Sequence, residues 1–258
     1  MSSEYDSAVG AAFLESQPAI LTPTITKSST PVALSGVSMQ QYYVNANFDS
    51  PSGNNPSANS NMLFVWTGGP PIQFQNATVG SGTVSGILQS GNATATPSGG
   101  TPFFSTDYVI GYSVGPAVTV SSKPTYPNIV ATAYIPGGVG SSLPIQYFGT
   151  TFGFVPNGIS PTAIQFSYQF PPGVNPSQDN AFIGFWYSNI NNVYGTTPQV
   201  TAQIFGPQSG GNAIMGGLAL AAGGQYSAAL YTSGYPLTTG ATAPTNIAAW
   251  VQFSLSGG

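Results

Sequence analysis

From about residue 20 onward, apolar and polar positions alternate in short runs with a period near two. In AIQFSYQF (163–170), Ile164, Phe166, Tyr168 and Phe170 fall on one face, with Gln165, Ser167 and Gln169 on the other. That alternation is the mark of a half-buried strand. The runs SMQQYYVNANF, NMLFVWT, PIQFQNATV, TVSGILQ, DYVIGYSV, AVTVSS, NIVATAYI, IQYFGTTFGFV, AFIGFWYS, QVTAQIF, QYSAALYT and IAAWVQFSL read the same way. Pro, Gly and Asn clusters punctuate them, and loops are expected at 49–61, 89–102 and 171–180. More than eight strands with no interleaved helices predict an all-β fold. The expected architecture is an antiparallel β-sandwich, a jelly roll with long loops, forming one domain over 30–258. IQF or IQY recurs at 72, 145 and 164, but the spacings are unequal, so no internal repeat is expected.

Residues 1–29 read as a separate N-terminal arm. Within it, residues 3–16 predict a helix: Ser2 or Ser3 can cap, Glu4 and Asp6 suit the positive end, and Pro18 stops it. Tyr5, Val9 and Phe13 share one face. A stripe that short is not stable alone in water and needs a partner surface. These three residues are therefore candidate assembly contacts, facing a particle interior or docked on a neighbouring subunit.

Charge changes the picture most. The 258 residues hold two basic and six acidic side chains and no histidine, about 3% charged, where roughly 25% is usual. The wet faces of the strands are furnished with amides and hydroxyls instead. The longest apolar run, AIMGGLALAA (213–222), is broken by two glycines and falls well short of the ~20 residues that span a bilayer. With 41% apolar and 12% aromatic residues there is ample material for a core, the opposite of disordered composition. A chain with almost nothing to titrate keeps its interactions from neutral pH into acid, where carboxylates and imidazoles change state. Stability across that range, in contact with an acidic medium, is the expectation. The opening MSSEYDSAVGAAFLESQPAIL has no basic n-region and no uninterrupted apolar stretch, so it does not read as a Sec signal. A capsid subunit, made inside the cell and then exposed to the medium, fits both observations.

Catalytic chemistry is thinly provided. Without His or Cys, the His-based triads, thiol nucleophiles and usual zinc sets are missing. The glutamates, Glu4 and Glu15, lie in the arm, and FDSPSG (48–53) departs from an aspartic-peptidase turn by placing Pro51 at the glycine position. Asp49, Asp107 and Asp179 are better read as loop caps than as a glycosidase pair. Asp49 with Asn54 and Asn55, or Asp179 with Asn180, offers one carboxylate per loop, thin provision for calcium. No catalytic residue, cofactor or metal is assigned, and no enzyme is expected. Lys27 and Lys123 are far apart in sequence, which argues against direct nucleic-acid binding. Trp66, Trp186 and Trp250 could stack sugars but read more readily as core. Asn76 and Asn92 head two N-x-T sequons and are candidate glycosylation acceptors.

In composition and style, over roughly residues 30–258, the chain resembles the jelly-roll capsid proteins of icosahedral archaeal viruses from hot acidic springs. The resemblance implies a virion subunit without an active site that assembles with copies of itself and other capsid proteins, its inner face meeting a membrane or a nucleoprotein. The alternative is a secreted filament or pilus subunit joined by strand donation, for which TPTITKSSTPVAL (22–34) and IAAWVQFSL (247–255) are candidate donors. An acid-stable secreted lectin or hydrolase comes third.

Overall fold

A computed structural model describes residues 21–28, 32–115, 118–120, 123–125, 128–237 and 244–257. The expected helix at 3–16, with Tyr5, Val9 and Phe13, lies outside the described residues. The first part of the chain forms β1 (Leu21–Ser28), β2 (Ala33–Met39), β3 (Val44–Asp49), β4 (Met62–Thr67), β5 (Gly80–Thr83), β6 (Ser90–Pro97) and β7 (Tyr108–Ser113). A short hairpin, β8 (Val118–Val120) with β9 (Lys123–Thr125), precedes β10 (Ile129–Ile135) and β11 (Gln146–Gly149). The rest forms β12 (Thr151–Ser160), β13 (Ala163–Gln169), β14 (Phe182–Trp186), β15 (Val200–Gln203), β16 (Gly210–Gly216), β17 (Gln225–Tyr231) and β18 (Ile247–Gly257). All strand pairs are antiparallel.

The all-β sandwich is observed, with two corrections to its expected form. First, the strand order β11-β10-β7-β4-β5-β6-β3-β2 of the large sheet is not that of a jelly roll. The opening strands β2 and β3 pair with each other as a hairpin, β3 then pairs with β6, and β4 lies between β5 and β7. One layer is thus β2-β3-β6 and the other β5-β4-β7-β10, the layout of an immunoglobulin-like sandwich. Second, this unit occurs twice. The second copy has β12-β13-β16 as one layer and β15-β14-β17-β18 as the other. Corresponding pairs share their register: Val44 faces Ala95 and Ile164 faces Met215; Met62 faces Thr83 and Phe182 faces Gln203. Even the bulge recurs, between Ile129 and Ala131 opposite β7 and between Ile247 and Ala249 opposite β17. Two sandwiches in tandem thus make up the β-region, and one continuous hydrophobic core draws residues from both.

The joining strands are exchanged between the two units. β11, which runs straight into the second sandwich, pairs with β10 of the first; β1, which runs into the first, pairs with β18 of the second. Each therefore extends the last sheet of the other unit. The expected arm thus includes a strand at its end, and the two segments proposed as strand donors, 22–34 and 247–255, lie against each other over Pro23–Ser28 and Val251–Leu255.

Burial follows the alternation. Ile164, Phe166, Tyr168 and Phe170 are all in the core, together with Phe185, Phe253 and Leu255 from the facing layer. A second cluster forms on the outer face of β14, β17 and β18, where Phe182, Trp186, Tyr231 and Trp250 are covered by Val193 and Tyr194. The same device operates in the first sandwich, where Phe74 packs edge-on against Trp66 with ring centroids 5.0 Å apart. The expected strand PIQFQNATV is instead this covering loop. QSGNATATPSGGTP, expected as a loop, contains β6.

Candidate assembly surface

Two kinds of position are available for contact with other molecules: exposed apolar side chains, and the sheet edge built by β1 and β18. Among the first, three lie in the corresponding connection of each unit. Ile87 and Leu88 stand 71% and 70% exposed between β5 and β6, and Phe205 stands 76% exposed between β15 and β16. Ile214, on the outward face of β16, is 67% exposed. Its counterpart on β6 is Thr94, whose hydroxyl donates to Asn45 at 2.7 Å. Beside it, Asn92 donates to Asn47 at 3.3 Å. This outer face of the first sandwich is a net of neutral donors and acceptors.

At the second position β1 pairs with β18 from Leu21 opposite Gly257 to Ser28 opposite Val251. Leu21 is buried and Pro23 half-buried, while Thr24 to Ser28 are exposed. The strand is held by its backbone ladder more than by packing. Pro23 and the Lys27 ammonium, 5.3 Å from the Trp250 ring centre, are residues that discourage indiscriminate edge pairing.

The two units meet through their loops. The 50–61 and 170–181 connections repeat each other: Asn55 and Asn175 each accept a side-chain hydrogen bond from the backbone three residues on, at 3.1 Å in both cases. Asn61 N–H reaches the Pro56 carbonyl at 2.9 Å, and Ala181 N–H reaches Pro176 at 2.8 Å. Gly53 then lies against Asn192 and Tyr194 of the second sandwich, and Gly173 against Ile72 of the first. Between the units, the buried Asn128 Oδ1 accepts from Thr232 Oγ1 at 2.6 Å and from Ser233 Oγ at 2.8 Å. Asn246 Nδ2 donates to the same Ser233 hydroxyl at 2.9 Å. Buried amides and hydroxyls here occupy the place where many proteins would put an ion pair, and they are paired.

The described carboxylates stand on separate segments. Asp107 accepts from Gly137 N–H at 2.8 Å and from the Tyr134 hydroxyl at 2.9 Å. Those two bonds hold its carboxyl below the ordinary value, and the same contact raises Tyr134. Asp179 differs: burial pushes its carboxyl up to about 7. Its counterpart in the first sandwich, Asn59, donates to Asn54 at 2.7 Å, and Asn54 donates to Ser50 at 2.8 Å. Val174 and Phe170 replace those two partners beside Asp179. Burial also raises Tyr112 to about 12 despite hydrogen bonds from Asn61 and Ser50.

The calcium sets suggested by the sequence are engaged otherwise, since Asn54 and Asn55 are bonded within their own loop. Asn180 takes a left-handed conformation and accepts from Gln203 at 3.4 Å. Among the described residues no group of three metal-ligating side chains comes together. Trp66, Trp186 and Trp250 are all buried and unavailable for stacking a sugar. Trp66 and Trp186 donate from Nε1 to the carbonyls of Asn76 and Thr197, at 3.1 and 3.0 Å, fastening the covering loops. Asn76 and Asn92 both have exposed side chains, Asn76 in a covering loop and Asn92 within β6. What sequence reasoning missed was the duplication. Its signal was Asn-Pro-Ser at 55–57 and 175–177 with Trp66 and Trp186, both 120 residues apart. No protein-family model matches the chain, and no curated protein matches it either.

Proposed function

We propose that the chain is a structural virion protein, a non-enzymatic capsid subunit that assembles through neutral polar and apolar contacts into an acid-stable shell. The observation that carries this reading is the placement of Ile87, Leu88, Phe205 and Ile214, large apolar side chains left in water on a nearly uncharged surface. Burying them in contacts between copies gains roughly 25 cal/mol per Å² without ion pairs, which acid would disrupt. The partners are copies of this chain and other capsid proteins, with a membrane or a nucleoprotein inside. A second reading, a filament subunit joined by strand donation, is favoured by the pairing of β1 with β18.

Electron microscopy of the purified full chain, concentrated at pH 3 and at pH 7, tests both. Closed shells or flat lattices of capsomers support the capsid, and thin fibres support the filament. A chain that stays monomeric at all concentrations overturns both readings.

A further inference from the structure

The exchanged strands carry a further inference, which rests on the reading that the chain assembles. We propose that β1 is a transferable strand: in the assembled state it leaves its own second sandwich and pairs with β18 of another copy, in the same antiparallel register. The partner at this edge is a second copy of this chain.

The two exchanged strands differ in the length of the link that joins each to the strand after it. β11 is joined to β12 by Thr150 alone, which is fully buried and whose hydroxyl donates to the Val130 carbonyl at 2.7 Å. The Val37 N–H adds a hydrogen bond, donated to the Tyr147 hydroxyl at 3.4 Å. That exchange is locked. β1, like β11, has mostly exposed side chains, with Leu21 its buried residue; what sets it apart is the link, since residues 29–32 separate it from β2. Val32 at the end of that connection is itself buried, yet the longer link has a reach for an alternative acceptor that one residue between strands lacks.

The energetics favour a switch set by concentration. Pairing with another copy reproduces the same ladder, Leu21 opposite Gly257 through Ser28 opposite Val251, so the two states differ chiefly in association entropy and strain in the link. A short tether gives an effective concentration in the millimolar range. Dilute chains therefore close on themselves, and chains crowded at a growing edge exchange. In the first sandwich the equivalent edge strand, β10, likewise takes a strand that leads into the other unit, β11.

The chain has no cysteine, which permits a clean test. Thr24 and Ser254 face each other in the ladder. The single variants Thr24→Cys and Ser254→Cys are made separately in the full chain, mixed, concentrated and oxidised. Neither can form the disulfide within one molecule, so a covalent heterodimer reports β1 of one chain on β18 of another. We expect its yield to exceed by about tenfold that of a control mixture of Asn76→Cys with Ser254→Cys, because seating raises the effective thiol concentration. Yields equal to the control overturn the exchange. Micrographs of the same samples separate the two ideas: particles without the specific disulfide refute the exchange and leave the assembly reading standing. The disulfide without particles supports the exchange and counts against the shell.

Discussion

Asp179 and Asn59 occupy the same place in two copies of one loop, and the difference between them predicts how stability depends on pH. The Asp179 carboxyl, raised to about 7 by burial, holds a proton in the folded chain at pH values where the unfolded chain has released it. Its contribution is therefore fully favourable below the ordinary carboxylate value near 4 and declines as pH rises from there to about 7. At about 1.4 kcal/mol per unit, the loss at neutral pH has a ceiling near 4 kcal/mol, reduced by the partial exposure of the side chain. Thermal melts should show a higher Tm at pH 4 than at pH 7, and Asp179→Asn should flatten the profile by raising the neutral value. A wild-type profile that climbs toward neutral pH would refute this. The matched glycines give a second contrast. Gly53 and Gly173 both have positive φ, 92° and 101°, so an alanine strains either by about 1 kcal/mol. A Cβ at Gly173 would also run into the backbone carbonyl of Ile72, whereas at Gly53 it meets only side-chain atoms, 3.5 Å away. Gly173→Ala should cost clearly more than Gly53→Ala in denaturant melts.

At the scale of elements, the strands with a clean apolar face were legible and those without one were not. β13 shows three core residues in strict alternation, continued by Phe170 just past its end, and β4, β7, β14, β17 and β18 are rich in aromatic and branched residues. β6 (SGNATATP) buries only Ala93 and Ala95, and β16 (GGNAIMG) only Ala213 and Met215, amid Gly, Ser, Thr and Asn. Their sequences thus read as turn material. The reverse error arose at 71–79, where Ile72 and Phe74 alternate as in a strand but plug the outer face of a sheet as a loop. The arrangement of the candidate surface was hidden for a related reason. Ile214 and Thr94 are both exposed at equivalent sites, and an isoleucine beside an inward-facing Ala213 and Met215 gives no alternation clear enough to mark it as the outward residue. The covering loops give the prediction at this scale. Trp66→Phe and Trp186→Phe each remove the indole N–H that holds the loop, leaving a carbonyl with one partner fewer. Each should cost about 1 to 2 kcal/mol, and hydrogen exchange should quicken in 68–78 for the first and 188–198 for the second. Exchange that quickens equally in both loops would show that the fastening is not local.

For the whole molecule, the scarcity of charge leaves the two sandwiches joined by neutral groups: Asn128, Thr232, Ser233 and Asn246 where they meet, and backbone ladders where they exchange strands. Salt has little to screen in such a structure. Assembled material should keep its sedimentation profile in about 1 M NaCl at constant pH, and dispersal there would point to ion pairs the chain does not supply. The exchange of β1 has one more consequence, because Leu21 lies opposite Gly257. The folded chain enters and leaves at one corner, so the order of its pieces can be rewritten without disturbing the ladders. A circular permutant that joins 257 to 21 by a tight turn, omits 1–20 and opens the chain within 29–32 would make β18 and β1 a continuous hairpin. That molecule should melt no lower than the parent, yet its first strand, now covalently closed onto its neighbour, could no longer be lent to another copy.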